Sequence, residues 1–461
     1  MRPPESQSSE TRPVPSPPPR GAGWAATGAV LLITLLLGIL FIARVPPWNI
    51  PDEPTHLDCA LAAAGRGELQ PAIIRSMAEH GFWDYLGLRA PHPLPESFAE
   101  IRFLALAGAV TQAGRKPPLY YRAAGSFLRF FPAAAPVDCL YLLRAFSLGF
   151  HLLGAVFVFL AARRLCPGER FYPAAAAGAF ALLPQSLLIG VSVSYEPLLD
   201  CLAAVLLWLA VRLQAKGADP LGAVALVLVA FLAPLTSTKG FFLLPGAFLG
   251  LVLAFLGGGR RRASLAAVAA VLAAALAGWV LLAWLRPGLV ARLGSELGRE
   301  MARLRGVLAG DSLPAWRRYP WFHREVFSSF FFKGGWGMFP LPPWAFWIFV
   351  ACNFFAVLGQ FPLVARLDGP SRRAWLAAVV VGLGVVAGFY LTRAAGPDPV
   401  PQGRHLLVGA PAWALLFTGG LVALFPARAR GWAAGVIACL WPLAAAAVLF
   451  LLLGPIYAGG S

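Results

Sequence analysis

Long apolar stretches recur along the chain, and shorter polar segments separate them. A helix of about 20 apolar residues is long enough to cross the hydrocarbon core of a bilayer. Eleven stretches fit this description, near residues 24–43, 139–162, 172–191, 197–211, 220–236, 240–257, 264–285, 343–365, 374–392, 405–425 and 432–453. The first is followed by Arg44-Val45-Pro46-Pro47 and not by a small-x-small cleavage site, so we expect an uncleaved anchor helix. The pattern predicts an all-α polytopic membrane protein.

Two further segments depart from this pattern. Residues 117–132 are apolar but short, and they carry Arg122 and Arg129, so we expect an interfacial helix along the membrane surface. Residues 1–23 are rich in proline, serine and arginine, which predicts a disordered cytoplasmic tail because such a composition cannot bury a core. We expect the remaining residues, 24–461, to form a single integral-membrane domain.

The composition excludes a soluble globular protein. Of the 461 residues, 59% are hydrophobic and 13% charged, and the mean hydropathy is +0.70, whereas soluble domains carry about 25% charged residues. The net charge of +17 indicates basic cytoplasmic loops more than nucleic-acid binding. Six scattered cysteines without CxxC spacing indicate neither a disulfide framework nor a zinc site. The heavy use of Arg, Ala, Gly and Pro is typical of a GC-rich bacterium.

Basic residues concentrate in alternate loops, which predicts the topology. If the N-terminus is cytoplasmic, every inner loop is basic, as the positive-inside rule requires. The basic positions in these loops are Arg163, Arg164, Arg170, Arg212, Lys216, Arg260, Arg261, Arg262, Arg366, Arg372, Arg373, Arg428 and Arg430. Two long segments, 45–138 with juxtamembrane helices and 286–342, are then extracytoplasmic. We expect a multi-pass protein of a bacterial plasma membrane whose active face is extracytoplasmic.

The first outer segment opens with a group of polar residues that could carry chemistry. Asp52 and Glu53 are adjacent, and His56 follows, just past the first helix and between prolines. A carboxylate near the low-dielectric boundary suits a general base. The alternative is that Asp52 only caps the next helix.

Two other regions also offer polar side chains. Ser192, Glu196 and Asp200 are four residues apart, so we expect them on one helical face, directed into a polar cavity or paired with Arg144. The second outer segment contains the aromatic run Phe330-Phe331-Phe332 followed by Lys333. Such a run suits sugar stacking, and it is equally typical of an interfacial aromatic belt.

Five short elements follow one another along the chain: Asp52-Glu53, Lys116-Pro117-Pro118-Leu119-Tyr120-Tyr121, Leu143-Arg144-Ala145-Phe146-Ser147, Thr238-Lys239-Gly240 and Pro401-Gln402-Gly403-Arg404-His405. In this order they resemble the glycosyltransferase C superfamily, polytopic enzymes that transfer sugars from polyprenyl-phosphate donors on the outer face of a membrane. The last element resembles a bacterial subfamily known mainly as a domain of unknown function. Ser194-Tyr195-Glu196-Pro197 departs from the Asn-Asp that relatives often have, and His405 stands where Tyr is common.

The resemblance implies an inverting glycosyltransferase that takes a sugar from a polyprenyl-phosphate donor. The acceptor would be an extracytoplasmic glycan, lipid or protein. Asp52 would be the base, with Glu53 orienting it or contacting the acceptor, and Lys239, Arg404 and His405 would bind the donor phosphate. Candidate residues for binding the acceptor or sugar are His56, Lys116, Tyr120, Glu196, Asp200 and Gln402. No cofactor or metal is required, although Asp52 and His56 could offer two ligands to a divalent cation.

Several alternatives stay open at the level of sequence. Lys239 could be a lysine that snorkels to the headgroups, and Arg404 could contact an outer-leaflet phospholipid. The chain could be a lipid-linked-glycan flippase or transporter, but we find no internal repeat and its charges cluster at the outer boundary rather than at the midplane. It could also be a non-catalytic membrane protein that binds a glycan.

Overall fold

The structure is a computed structural model, and it describes residues 22–67, 69–101, 118–216, 219–256, 287–309, 321–337, 339–393 and 402–458. Its helices, in chain order, are α1 (Ala22–Arg44), α2 (Glu53–Ala63), α3 (Gln70–Glu79), α4 (Phe82–Tyr85), α5 (Leu119–Leu128), α6 (Pro136–Leu165), α7 (Tyr172–Ala181), α8 (Pro184–Gly190), α9 (Glu196–Lys216), α10 (Pro220–Thr236), α11 (Leu244–Leu256), α12 (Pro287–Ala309), α13 (Phe322–Phe331), α14 (Pro343–Leu358), α15 (Gln360–Arg366), α16 (Gly369–Gly388), α17 (Ala410–Ala423), α18 (Ala427–Ala447) and α19 (Gly454–Ala458). A two-stranded antiparallel sheet, β1 (Lys333–Gly334) with β2 (Phe339–Pro340), pairs Lys333 with Pro340.

The apolar pattern correctly places the helices. Ten of the eleven predicted spans coincide with helices, and the eleventh, 264–285, lies outside the described residues, as does most of the tail 1–23. Within the described part of the chain, seven helices are long and apolar enough to cross a membrane, or eight if a bent pair counts as one span. The chain is therefore a multi-pass membrane protein, while the count of eleven is not confirmed.

Three of the predicted spans contain a sharp bend or a 3₁₀ segment. The stretch 172–191 is broken into α7 and α8, which meet at an angle of 63°. Short 3₁₀ segments, Thr238–Leu243 and Gly403–Gly409, precede α11 and α17. Where a helix breaks, some backbone polar groups lose their hydrogen bonds within the helix. In membrane proteins such breaks are tolerated where they line a cavity. All three breaks carry residues that meet at one end of the bundle.

The described residues of the segment 45–138, which are 45–67, 69–101 and 118–138, fold into short helices over this same end. Helix α5 has ten residues, about 15 Å at 1.5 Å per residue, too short to cross a hydrocarbon core of about 30 Å. It crosses the end of α2 at Gly125, where a Cβ would lie 2.7 Å from the carbonyl carbon of Ala63. A side chain at residue 125 would therefore separate the two helices. Their buried apolar residues form a cluster with the first turns of α6, which fixes the segment to the bundle.

The second outer segment, 286–342, reaches the first through the β1–β2 hairpin. The indole Nε1 of Trp336 donates a hydrogen bond to the backbone carbonyl of Trp48 at 2.8 Å. Both tryptophans have a left-handed backbone, with φ of 55° and 69°, a conformation uncommon for large side chains. The described parts of the two segments are therefore in direct contact at this end of the bundle.

Candidate functional site

Asp52 occupies the turn between α1 and α2 in a left-handed backbone conformation, with φ 68° and ψ 2°. Aspartate tolerates this conformation better than most residues. Within the described residues, its side chain makes no N-cap hydrogen bond, so the alternative that it only caps α2 is wrong. Instead its Oδ2 accepts a hydrogen bond from Nη2 of Arg404 at 2.8 Å, and 30% of its side chain is exposed. Asp52 is therefore a carboxylate that a bound molecule can reach.

Arg404 is held in place by the glycine that precedes it. The backbone N–H of Gly403 donates to Oγ of Ser329 at 2.7 Å. A Cβ on Gly403 would lie 2.1 Å from the carbonyl oxygen of Val326 and 2.2 Å from the backbone nitrogen of Phe330. Only glycine allows the 3₁₀ segment Gly403–Gly409 to approach α13 this closely, and this approach directs the next side chain towards Asp52. The Gln-Gly-Arg-His element is therefore a packing motif as well as a source of charge.

Glu53 makes a fully buried ion pair with Arg144 of α6. The two guanidinium–carboxylate contacts are 2.9 Å at Nε and 2.7 Å at Nη2, and neither side chain is exposed. The same guanidinium donates to the carbonyls of Val45 and Pro46, and the N–H of Val193 donates to Glu53. Glu53 thus joins the turn after α1 to α6 and to the segment after α8. This geometry favours a positioning role and leaves its predicted contact with the acceptor untested.

Lys239 is buried and paired with Glu196. Its Nζ lies 2.5 Å from Oε1 of Glu196, and the two side chains are 4% and 9% exposed. The alternative of a snorkelling lysine is therefore wrong. Gly240 makes this burial feasible, because a Cβ there would lie 2.2 Å from the carbonyl carbon of Ala233 in α10. Nδ1 of His405 lies 3.9 Å from the same Glu196 oxygen, so two of the three predicted phosphate ligands converge on this carboxylate.

Asp200 lies one turn further along α9, with 3% exposure, close enough to Glu196 and Lys239 to interact with their charges. Helix α9 begins at Glu196, so Ser192 precedes it and does not share the predicted helical face. Arg144 pairs with Glu53 and not with these carboxylates, which corrects that alternative.

His56 belongs to a buried aromatic group beside the site. Its Nδ1 lies 2.6 Å from the hydroxyl of Tyr121, and its ring meets the edge of Tyr195 with centroids 5.3 Å apart. The Tyr195 ring in turn lies 5.7 Å from Nζ of Lys239. Burial raises the pKa of Tyr121 well above its ordinary value, so its hydroxyl stays protonated. His56 therefore packs against Tyr195, whose ring lies next to the Lys239–Glu196 pair.

Of two further predicted residues, Tyr120 lies within the described part of the chain and Lys116 does not. Tyr120 is fully buried and hydrogen-bonded to Ser147 at 3.0 Å, and burial raises the pKa of its phenol. A direct contact between Tyr120 and a substrate would require this packing to open. Lys116 lies outside the described residues.

A small polar crevice lies next to the Asp52–Arg404 pair. Gln402 and Arg404 line it from one side, and Gln185, Ser329 and Lys333 line it from the other. Among the described residues, Oε1 of Gln402 and Nε of Arg404 are buried and have no hydrogen-bond partner. The arginine that lines the crevice thus has, within the described part of the chain, one donor without a partner, and it pairs with a partly exposed carboxylate.

An apolar groove of about 560 Å³ is lined in part by α13 and the 3₁₀ segment Gly403–Gly409, which also contribute residues to the crevice. Val326 and Phe330 of α13 and Leu406 of the 3₁₀ segment line it, and α14, α16 and α17 complete its walls. Its outer residues Val357 and Leu383 are 62% and 61% exposed. The groove is therefore open at the apolar surface of the bundle, next to a polar crevice.

Asp52 and His56, the two residues that could offer ligands to a divalent cation, are engaged with separate partners. Asp52 bonds to Arg404 whereas His56 bonds to Tyr121. Among the described residues, no group of three or more His, Cys, Asp or Glu side chains is arranged to hold a metal ion. The expectation of metal-independent chemistry is a prediction that this arrangement leaves untested.

Sequence reasoning missed Gln185 and Ser329, and it considered Lys333 only as part of an aromatic run. The backbone N–H of Lys333 donates to Oε1 of Gln185 at 2.6 Å, in the first turn of α8 just after the break from α7. Lys333 did carry a signal, because lysine is rare in this chain and only four of its 38 basic residues are lysines. The surrounding aromatic residues, more typical of a membrane belt, concealed that signal.

Comparisons with known proteins agree with this architecture. The ArnT structure from Cupriavidus metallidurans bound to undecaprenyl phosphate aligns with a TM-score of 0.52 and 16% identity, covering 94% of this chain and 75% of that one. Its apo form gives a TM-score of 0.45 at 17% identity, covering 95% and 75%. No curated protein sequence matches the chain. The similarity to the lipid-bound ArnT structure shows a glycosyltransferase C fold, which confirms the predicted fold class.

The sequence also matches a family of membrane proteins. The match is to the family described as "Predicted membrane protein (DUF2142)", and it spans residues 110–409. This is well over half of the chain and includes Glu196, Lys239 and Arg404. The chain therefore belongs to the DUF2142 family of membrane proteins.

Proposed function

We propose that this protein is a membrane glycosyltransferase that moves a sugar from a polyprenyl-phosphate donor to an extracytoplasmic glycan, lipid or protein. The transfer is inverting and independent of metal, and it takes place at the Asp52–Arg404 pair. The lipid that ArnT binds, undecaprenyl phosphate, belongs to the same chemical class as the proposed donor. The observation that carries the proposal is that Arg404, paired with the partly exposed Asp52, lines a polar crevice, while Leu406 of the same 3₁₀ segment lines an apolar groove.

The chemistry of transfer matches the two members of the pair. An acceptor hydroxyl attacks the anomeric carbon, a new C–O bond forms, and the bond between that carbon and the phosphate oxygen breaks. The leaving polyprenyl phosphate keeps the bonding electrons, and the hydroxyl proton passes to Asp52 as general base. Arg404 stabilises the charge that accumulates on the phosphate. A guanidinium has five N–H donors, so Arg404 can bind phosphate through Nε while a second donor orients Asp52.

The groove supports a lipid-linked donor. Its lining is largely apolar, with polar groups such as Asn353 and Gln360 at few positions, which is typical of sites for amphiphilic ligands. Because α13 and the 3₁₀ segment Gly403–Gly409 line both groove and crevice, a lipid chain in the groove has its phosphate directed to Arg404. The outer residues of the groove are exposed, so the lipid chain can enter the groove laterally from the bilayer.

The buried ion pairs hold this arrangement. Glu53–Arg144 fixes the turn that carries Asp52, and Glu196–Lys239 fixes the segment that faces His405. In this proposal Lys239 acts on the phosphate through its electric field and through the Glu196 carboxylate that it shares with His405, because its side chain is 4% exposed.

The test is sugar transfer by purified protein in nanodiscs, with a panel of radiolabelled polyprenyl-phosphate sugars and with membrane lipids and cell-wall glycans as acceptors. We expect Asp52→Asn to abolish transfer while binding of the donor persists. The matched control is Asp84→Asn, which changes an exposed carboxylate in the same outer segment and leaves transfer intact. Transfer that survives in Asp52→Asn would contradict the base assignment. Lipid binding without transfer for any donor would favour a flippase or a scaffold.

A further inference from the structure

Lys333 lines the same crevice as Arg404, although it lies more than 70 residues earlier in the chain. Its backbone is anchored twice: the N–H donates to Gln185, and β1 pairs with β2. Its side chain runs past Gly337, where a Cβ would lie 3.5 Å from Lys333 Cε. Gly337 has a φ of 85°, so glycine there accommodates both the turn and the lysine. The hairpin thus fixes the backbone of Lys333 beside the crevice.

Lys333 differs from Lys239 in its accessibility. Its Nζ lies 2.8 Å from Oε2 of Glu325, and the two side chains are 25% and 35% exposed. Lys239 and Glu196, in contrast, are 4% and 9% exposed. Partly exposed ion pairs contribute little stability and separate at small cost, whereas a buried pair that loses one partner leaves an uncompensated charge. Of these two lysines, Lys333 is the one that can exchange its carboxylate for a ligand.

The crevice is nearly closed as it stands. Its volume is about 20 Å³, which is room for about one water molecule. A phosphate can enter only if side chains move, and the Lys333–Glu325 and Asp52–Arg404 pairs are the exposed ones beside it. An entering anion would therefore replace Glu325 as the partner of Lys333 and bind Arg404 through Nε, while Nη2 of Arg404 keeps its hydrogen bond to Asp52.

We propose that Lys333 is the second cation for the lipid phosphate and that it specifically binds the charge produced by transfer. This inference rests on the proposed function. A polyprenyl-phosphate sugar is a phosphodiester with one negative charge, which Arg404 matches. When the sugar leaves, the bonding electrons remain on the phosphate oxygen, and the resulting phosphomonoester carries up to two negative charges, since its second pKa is about 6. Lys333 supplies the positive charge that balances the second negative charge of this phosphomonoester.

The experiment compares two probes with the same lipid chain at pH 8, farnesyl phosphate and its methyl diester, bound to protein in nanodiscs. Wild type should bind the monoester more tightly than the diester. Lys333→Gln should weaken monoester binding roughly tenfold, the usual effect of losing a charge-assisted hydrogen bond, and leave diester binding within about twofold. Arg404→Gln should weaken both. Lys333→Arg should restore the preference, and Lys216→Gln, at the far end of α9, is the matched control.

A second variant keeps the test independent of any folding defect in Lys333→Gln. Glu325→Gln removes the carboxylate that competes for Lys333, so monoester binding should strengthen while diester binding is unchanged. Equal loss of both probes in Lys333→Gln, or no loss of either, would overturn the role of Lys333 while leaving the proposed function standing. Failure of wild type to bind either probe would instead overturn the proposed function.

Discussion

The buried Glu53–Arg144 pair allows a prediction about stability as well as activity. Replacing Arg144 by methionine leaves a carboxylate that is 0% exposed without its cation. It also removes the donors to the carbonyls of Val45 and Pro46, at 2.7 and 3.0 Å. We expect Arg144→Met to destabilise the fold strongly and to displace the turn that carries Asp52.

The expected magnitude follows from burial. Removing one partner of a buried ion pair costs about 3–5 kcal/mol, because the remaining charge has neither water nor a counterion. The control is Arg212→Met, since Arg212 and Asp219 are also 2.7 Å apart but 24% and 31% exposed. An exposed pair of this kind contributes about 0–1 kcal/mol. The double variant Glu53→Gln/Arg144→Met removes both charges and should recover part of the loss.

The assay is equilibrium unfolding in mixed micelles, followed by tryptophan fluorescence, with the four proteins measured in parallel. Arg144→Met should lose several times more unfolding free energy than Arg212→Met, and the double variant should lie between Arg144→Met and wild type. Equal effects of Arg144→Met and Arg212→Met would refute the reasoning, because distance alone, and not burial, would then set the contribution of each pair.

Three further predictions concern the packing around the site. Gly403→Ala should lower the thermal midpoint of unfolding and abolish binding of polyprenyl phosphate. Its Cβ would lie 2.1 Å from the carbonyl oxygen of Val326, and a backbone atom cannot move aside as a flexible side chain can. Unchanged binding would contradict this prediction. Tyr121→Phe should cost about 1 kcal/mol of unfolding free energy through the lost hydrogen bond to His56. Because burial raises the pKa of Tyr121, the folded state holds this proton more tightly than the unfolded state, so wild-type stability should fall above about pH 10 more steeply than that of Tyr121→Phe. Leu406→Trp should fill part of the groove and weaken binding of a long polyprenyl phosphate while leaving inorganic phosphate binding unchanged; a uniform loss would place the lipid chain elsewhere.

The sequence alone predicts the helices well because apolar length is a local property. The same reasoning could not show where α7 ends and α8 begins, since both halves are apolar and the 63° bend depends on neighbouring helices. It also could not show that α5 rests on α2 through Gly125, because that contact joins residues far apart in the chain.

The site was predictable as a set of residues but not as a set of pairs. Asp52 and Arg404 are 352 positions apart, and nothing local indicates which cation meets which carboxylate. Lys239 looked like a phosphate ligand at a membrane boundary, yet the close turn at Gly240 buries it against Glu196. Burial and pairing decide which charges remain available to a ligand, and both arise only from the packing of distant segments.

The most direct test of the central claim is a cryo-electron microscopy structure of the protein in nanodiscs with a polyprenyl phosphate. The account predicts a phosphate within hydrogen-bonding distance of Arg404 beside Asp52, with the lipid chain following the groove past Phe330 and Leu406. A lipid whose phosphate lies away from Asp52 and Arg404, or whose chain leaves the groove empty, would contradict it.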